Sequence, residues 1–255
     1  MNILITNDDG IYAEGLLMLA REISKIAKVT VVAPDRERSA TAHAITMHKP
    51  LRVEKAELRN CSVESWMVNG TPSDCVKLAL DALLNDAPDL VLSGINRGPN
   101  LGTDVIYSGT VSAAIEAAIY GIPAVAVSVA AYENVSYEYP AQFVRKLCEV
   151  LKEKQFPKDT LLNVNIPPLD AEDIAGVLIT RLGNRRYKNC FDRRQDPRGK
   201  TYYWLAGEVV EDLEDETSDV WAIRNNYISI TPIHFDLTNY EVIDSIKRWE
   251  LKPLL

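Results

Sequence analysis

The chain is poor in the residues that build the common metal and redox motifs. Its four cysteines, Cys61, Cys75, Cys148 and Cys190, show no C-x-x-C spacing, and its three histidines, His43, His48 and His234, are too dispersed for a zinc site. The thiols are therefore read as reduced and structural. A basic excess is also missing. Lys and Arg total 28 against 36 Asp and Glu, a net charge of −8, whereas a general binder of nucleic-acid polymers needs a positive face. A small phosphorylated ligand remains compatible with that balance if a local cation or metal offsets the field. No apolar run is long enough to span a bilayer, and Asp8 and Asp9 interrupt the N-terminus before any leader pattern develops. The expectation is a cytoplasmic protein without a membrane partner. The G-x-G-x-x-G, G-x-x-x-x-G-K-[ST] and G-x-S-x-G patterns are all absent, which argues against a dinucleotide fingerprint, a P-loop and an α/β-hydrolase elbow. There are no internal repeats and no low-complexity linker.

What the chain does have is ordinary globular material: 255 residues, 47% hydrophobic and 25% charged, enough for one large domain. Strand and helix patterns alternate along the first half. Asn2–Thr6 reads as a strand, Gly15–Ile26 as a helix with Leu16, Leu19, Ala20, Ile23 and Ile26 on one face, and Val29–Pro34 as the next strand. Thr71, Pro72 and Asp74 open a helix as N-cap, first helical residue and capping-box partner. "PDLVLSG" is a strand, "TVSAAIEAAIY" a helix stopped by Gly121 and Pro123 before another strand, and a helix through Leu147 and Leu151 precedes "LLNVNIP". This order predicts right-handed βαβ units: a Rossmann-like, mostly parallel sheet with helices on both faces. After about Pro167 charged, turn-rich stretches alternate with short strands such as "YYWLAG" and "YISITPI". The expectation is a single α/β domain over 1–255. Its core covers about 1–167, with a β-rich hairpin extension over about 168–255 and an amphipathic helix near Glu241–Trp249.

In such a sheet, ligands sit outside the carboxyl ends of the strands, and polar clusters fall at three of those ends. Asp8 and Asp9 follow the first strand, "DRERSATAH" with Ser39 the second, and "SGINRGPNLG" with Ser93, Asn96 and Asn100 follows "DLVLSG". Two adjacent carboxylates repel and are costly to desolvate. A cation would turn that repulsion into coordination, and two carboxylates, a hydroxyl and an amide carbonyl form an all-oxygen set suited to Mg²⁺ or Mn²⁺. Gly10 fits a sharp exit turn there. The segment "IYSGTVSAA" crowds Ser108, Gly109, Thr110 and Ser112 at a helix start, which is either ordinary capping or an anion site for phosphate. The basic stretch Arg185–Lys188 and Arg193–Arg198 reads as a solvated hairpin that could steer a phosphate if it reaches the crevice.

Taken together, "NDDGIYAEGL", "VVAPDRERSA", "VNGTPSDCVKLAL", "PDLVLSGINRGPNLGTDVIYSGTVSAAIEAAIYGIPAVAVS", "LNVNIP", "DPRGKTYYWLAG" and "YISITPIHFDLT" closely resemble the SurE family of stationary-phase survival nucleotidases. The resemblance runs along nearly the whole chain. It implies a metal-dependent phosphatase acting on nucleoside 5′- and 3′-monophosphates, some members also trimming short polyphosphate. It further implies one divalent ion per subunit, Mg²⁺ or Mn²⁺, held by Asp8, Asp9, Ser39 and Asn96, with Asp8, Asp9 and Asn96 as the catalytic group. Ser108, Gly109 and Thr110 match the phosphate-contacting turn, and Asn7, Gly94 and Asn100 are expected to line the same substrate site. Family members form homodimers or homotetramers with an exchanged C-terminal segment. One departure stands out: Ala40 and Ala42 occupy a loop where the family often has glycine. Two rival readings remain open at this stage. One makes an aspartate the nucleophile, through an aspartyl-phosphate; the other is a non-catalytic nucleotide-binding sensor using the same crevice.

Overall fold

The computed structural model describes residues 1–154, 157, 159–211 and 213–249. The first strand, β1 (Asn2–Thr6), is buried on both faces, and alternate residues serve two cores. Ile3 and Ile5 enter one apolar cluster and Leu4 the other, as the two-residue period of a strand requires. Helix α1 (Glu14–Ile23) and β2 (Lys28–Pro34) follow; β2 again divides its residues, with Val31 and Ala33 on one side and Val32 on the other. Then come β3 (Val53–Lys55), β4 (Glu64–Val68) and α2 (Pro72–Leu78), which continues as a π-helical turn over Ala79–Leu83. Next are β5 (Leu90–Arg97), α3 (Gly109–Ile119), β6 (Ala124–Val129), α4 (Glu138–Leu151) and β7 (Thr160–Ile166). A 3₁₀ turn over Gly102–Ile106 leads from β5 into α3.

Strands β4, β2, β1, β5, β6 and β7 pair side by side in parallel. Residues of α1 and α4 join the core on one face of the sheet, and residues of α2 and α3 join the core on the other. The mostly parallel α/β architecture expected from the alternation is what the chain adopts. From β1 the chain builds outward to β2 on one side and returns to β5 on the other. That reversal opens a crevice at the carboxyl ends of β1 and β5.

The expected start of α2 is present in full: the Thr71 hydroxyl accepts the Asp74 N–H at 3.1 Å and the Asp74 carboxylate accepts the Thr71 N–H at 2.9 Å. Helix α1 ends three residues before the expected Ile26, where the Ser24 hydroxyl donates to the Arg21 carbonyl at 2.9 Å, a local bond that competes with continuing the helix.

The second part of the chain departs further from expectation. It supplies β8 (Gly176–Ile179), β9 (Arg185–Lys188), β10 (Phe191–Gln195), β11 (Thr201–Leu205), β12 (Glu208–Glu211), helix α5 (Asp219–Arg224), β13 (Tyr227–His234) and helix α6 (Tyr240–Lys247). Strands β10 and β11, and outside them β9 and β12, pair antiparallel as one long hairpin arm. Strand β13, however, enters the central sheet antiparallel to β7, with β8 parallel to it at the edge. The central sheet therefore draws two strands from beyond residue 167, because β7 would otherwise leave its outer hydrogen-bonding edge open. The expected terminal helix closes at Lys247, and none of its residues is buried.

Candidate active site at the reversal point of the sheet

The turn after β1 is built by Asn7. Fully buried, it donates from Nδ2 to the Gly10 carbonyl at 3.0 Å and accepts the Gly10 N–H on Oδ1 at 3.2 Å. Both ends of its amide are engaged by the turn that presents the two aspartates, so the structure places Asn7 behind the crevice and not on its wall.

Asp8, Ser39, Asn96, Asn100 and Ser108 line one crevice of about 220 Å³. The structure thus brings together residues from three loops far apart in sequence. Asp8 is buried, and its Oδ1 accepts the Thr110 hydroxyl at 2.5 Å. Burial pushes its carboxyl up to about 7, with the neighbouring Asp9 adding to the rise and the Thr110 hydrogen bond opposing it. Asp9 is half-buried and also raised, chiefly by burial, although its Oδ2 accepts the Arg97 N–H at 3.3 Å. The Arg38 N–H donates to the Asp8 carbonyl at 2.7 Å and so fastens the Ser39 loop to the aspartate turn. Ser39 itself is exposed, with its hydroxyl donating to Glu37 Oε1 at 2.6 Å.

Asn96 does not sit in a loop after β5, as the sequence suggested, but inside the strand. The pairing of β5 with β6 shifts between Ser93 and Asn96. Gly94, at φ +141°, makes that kink; a Cβ there would run into the Val127 carbonyl. The Asn96 Nδ2 donates to the Gly98 carbonyl at 2.9 Å, and its Oδ1 has no hydrogen-bond donor among the described residues. Asn100 is part of a buried amide network. Its Nδ2 donates to Ser128 Oγ at 2.8 Å, and its carbonyl accepts from the side chains of Asn163 and Asn165 at 2.8 and 2.9 Å.

Helix α3 starts against Asp8. Ser108 caps it by accepting the Val111 N–H at 3.1 Å, so of the two readings of this helix start the capping one is present. Gly109 is required by space: a Cβ would lie 2.8 Å from the Asp8 Cβ and 2.9 Å from its Oδ2. Whether these residues suit a divalent ion is answered by their chemistry. The donor set is all oxygen, Asp8 forms no ion pair among the described residues, and burial leaves its carboxyl half protonated near neutrality.

Sequence reading missed the floor and rim of the site. Asp104, Tyr107 and Tyr132 also line the crevice. The basic stretch is not wholly solvated either. Arg185 is buried and pairs with Asp104 at 2.7 Å and Glu211 at 3.1 Å, while the Tyr187 hydroxyl donates to Asp104 at 2.6 Å. The hairpin arm therefore reaches the site through its base. The only available signal was the charge of Asp104 and Arg185, 81 residues apart. His43 does not face the crevice chemistry; its Nε2 lies 2.7 Å from Glu116 on α3.

The Ala40 and Ala42 departure has a measurable cost. Both residues adopt left-handed backbone, φ 53° and 49°, which costs a residue with a Cβ about 1 kcal/mol. Ala42→Gly is expected to stabilise the protein by roughly 0.5 kcal/mol after the unfolded-state entropy of glycine is subtracted. Urea denaturation reads this directly, and a lower midpoint in the variant would show that the loop is not strained.

Comparison with known proteins agrees with this fold. The family model described as "Survival protein SurE" matches residues 3–189. The chain is 56% identical over 249 residues to the "5'-nucleotidase SurE" of Heliobacterium modesticaldum, covering 98% of this chain and 92% of the relative. It is 53% identical over 249 residues to the protein of the same name from Pelotomaculum thermopropionicum, covering 97% and 95%. The crystal structure of the SurE protein from Aquifex aeolicus superposes with a TM-score of 0.85 at 43% identity, covering 97% of this chain and 98% of that one. Sequence motifs, sheet reversal and the converging aspartate, serine and asparagine side chains have one common explanation: the chain belongs to the SurE family.

Proposed function

We propose that this chain is a metal-dependent phosphomonoesterase that hydrolyses nucleoside 5′- and 3′-monophosphates to nucleoside and phosphate, and that it also acts on short polyphosphate. Asp8 carries the reading. A carboxylate held at a strand end without an ionic partner among the described residues, its affinity for a proton raised by burial, is a group that a cation would relieve. The names of the relatives, "5'-nucleotidase SurE", support the substrate class. In this proposal one Mg²⁺ or Mn²⁺ per subunit is held by Asp8, Asp9, Ser39 and Asn96. When bound, such an ion supplies positive charge against the phosphoryl oxygens and acidifies water.

The chain's own residues do the rest. Thr110 fixes the Asp8 carboxylate in place through its hydroxyl. Ser108, Gly109 and Thr110 present the positive end of α3 to the phosphate. Asn100 and the kink at Gly94 complete the wall and orient the ester, while Asn7 sets the turn. Asp9, which keeps one oxygen clear of the Arg97 N–H, orients or deprotonates the attacking water. Positioning and charge are what phosphoryl transfer most needs from a protein.

The chain is further proposed to work as a homodimer or homotetramer with an exchanged C-terminal segment. Support comes from the lack of any buried residue in α6 and from the exposed Leu237, Tyr240 and Trp249 around it; light scattering on the purified chain tests it. Among the described residues no helix is long and apolar enough to cross a membrane.

The test of the activity is phosphate release from a panel of nucleoside monophosphates with EDTA, Mg²⁺ or Mn²⁺. Release that requires the metal is the expected result. Tight nucleotide binding with no release under any condition would overturn the enzyme reading in favour of a sensor.

A further inference from the structure

The crevice holding Asp8 is small. At about 220 Å³ it falls below the roughly 300–1,000 Å³ of sites that enclose a whole small-molecule ligand. A phosphate fits; the nucleoside attached to it must extend beyond. Directly adjacent is a larger cleft of about 720 Å³, walled by Asp9, Glu14, Glu37, Glu133, Arg97 and Tyr132 among others. Arg97 and Tyr132 line both spaces, so the two abut at these side chains. Their charges also set the direction in which a nucleotide can lie. Besides Asp9, which belongs to the proposed metal site, Glu14, Glu37 and Glu133 on the wall of the larger cleft repel a phosphate and offer hydrogen-bond acceptors to groups that donate, such as ribose hydroxyls and exocyclic amines.

Tyr132 stands at the junction, in the bend after β6. One side of its ring lies against the backbone of Gly98, where an added Cβ would collide with it, and 65% of the residue remains exposed. A ring held against Gly98 along its Cδ1–Cε1–Cζ side and otherwise largely exposed, at the shared rim of a phosphate-sized crevice and a nucleoside-sized cleft, can serve as a stacking platform. We propose that the larger cleft is the nucleoside subsite and that Tyr132 is a specificity-determining residue on which the nucleobase stacks. The inference rests on the phosphomonoesterase reading above. It implies that purine monophosphates bind better than pyrimidine ones, because they offer more π surface.

The experiment compares AMP with ribose 5-phosphate, which carries an anomeric hydroxyl in place of the base. Wild type, Tyr132→Ala, Tyr132→Phe and Tyr107→Ala are assayed with saturating Mn²⁺, and AMP affinity is measured separately by calorimetry. Tyr132→Ala is expected to raise KM for AMP about tenfold, leave kcat within about twofold and raise KM for ribose 5-phosphate by no more than about threefold, since Tyr132 also lines the phosphate crevice. Tyr132→Phe keeps wild-type behaviour, since stacking needs the ring and not the hydroxyl. Equal losses on both substrates, no loss on AMP, or a loss confined to Tyr107→Ala would each overturn the proposal. If wild type turns over neither substrate, the phosphomonoesterase reading falls, and the AMP affinities still decide about Tyr132: a weakening of about tenfold in Tyr132→Ala upholds the platform, and equal affinities reject it.

Discussion

Asp8→Asn is expected to yield a protein that is more stable without metal and nearly inactive with it. Burial raises the Asp8 carboxyl from 3.8 to about 7, so the folded state binds a proton more tightly than the unfolded chain does. The sign follows from linkage: stability contributed by the protonated form is complete below about pH 4, declines as pH rises between the two values, and is gone above about pH 7. Asparagine keeps the shape and removes the charge. In EDTA at pH 8 the variant should gain on the order of 2 kcal/mol over wild type, less than the full shift because the asparagine amide is itself costly to bury. The gain should vanish near pH 4. Saturating Mg²⁺ or Mn²⁺ should stabilise wild type and leave the variant almost unmoved, while kcat/KM falls at least about a hundredfold. Thermal melts at pH 4 and pH 8, with and without metal, read all of this. A variant that is less stable at pH 8 in EDTA would mean that Asp8 is satisfied by the protein alone, and the case for a cation would lose its strongest support.

Gly109→Ala tests the same site from the other side. In a helix interior alanine gains about 1 kcal/mol over glycine, but Gly109 is the first residue of α3, where the gain is smaller. Here the new methyl would sit 2.8 Å from the Asp8 Cβ and 2.9 Å from Oδ2. The carboxylate, held by Thr110, or the start of α3 must therefore shift. Misplacement of about 1 Å at a reacting centre costs on the order of a hundredfold in rate, and that is the loss expected in kcat/KM. The fold should survive, because the strain is confined to one helix start that Ser108 still caps. Activity within threefold of wild type would show that neither the Asp8 position nor the helix start matters to turnover. Circular dichroism separates that result from simple unfolding.

Both expectations concern residues that the sequence itself exposed. "NDDG", "SGIN" and "SGTVSAA" follow apolar runs that can only be strands or precede an alanine-rich helix, and the ends of parallel strands converge by construction. Periodicity, turn residues and the Thr71–Asp74 capping box act over a few residues, so the alternating elements, the parallel sheet and the group Asp8, Asp9, Ser39, Asn96, Ser108 and Thr110 were legible without a structure. The choice between backbone paths was not. That Asn7 turns inward onto Gly10, that β5 bends at Gly94 and carries Asn96 within the strand, and that β13 joins β7 while α6 stays uncovered depend on which surfaces meet. The same holds for Arg185, polar in the sequence yet buried against Asp104, and for Tyr132, indistinguishable by motif from the other exposed tyrosines until it lies over Gly98 between two clefts. Local sequence specifies local conformation because its interactions span one turn or one strand. The identity of a distant partner is settled only when the cores on the two faces of the sheet close and bring those side chains together.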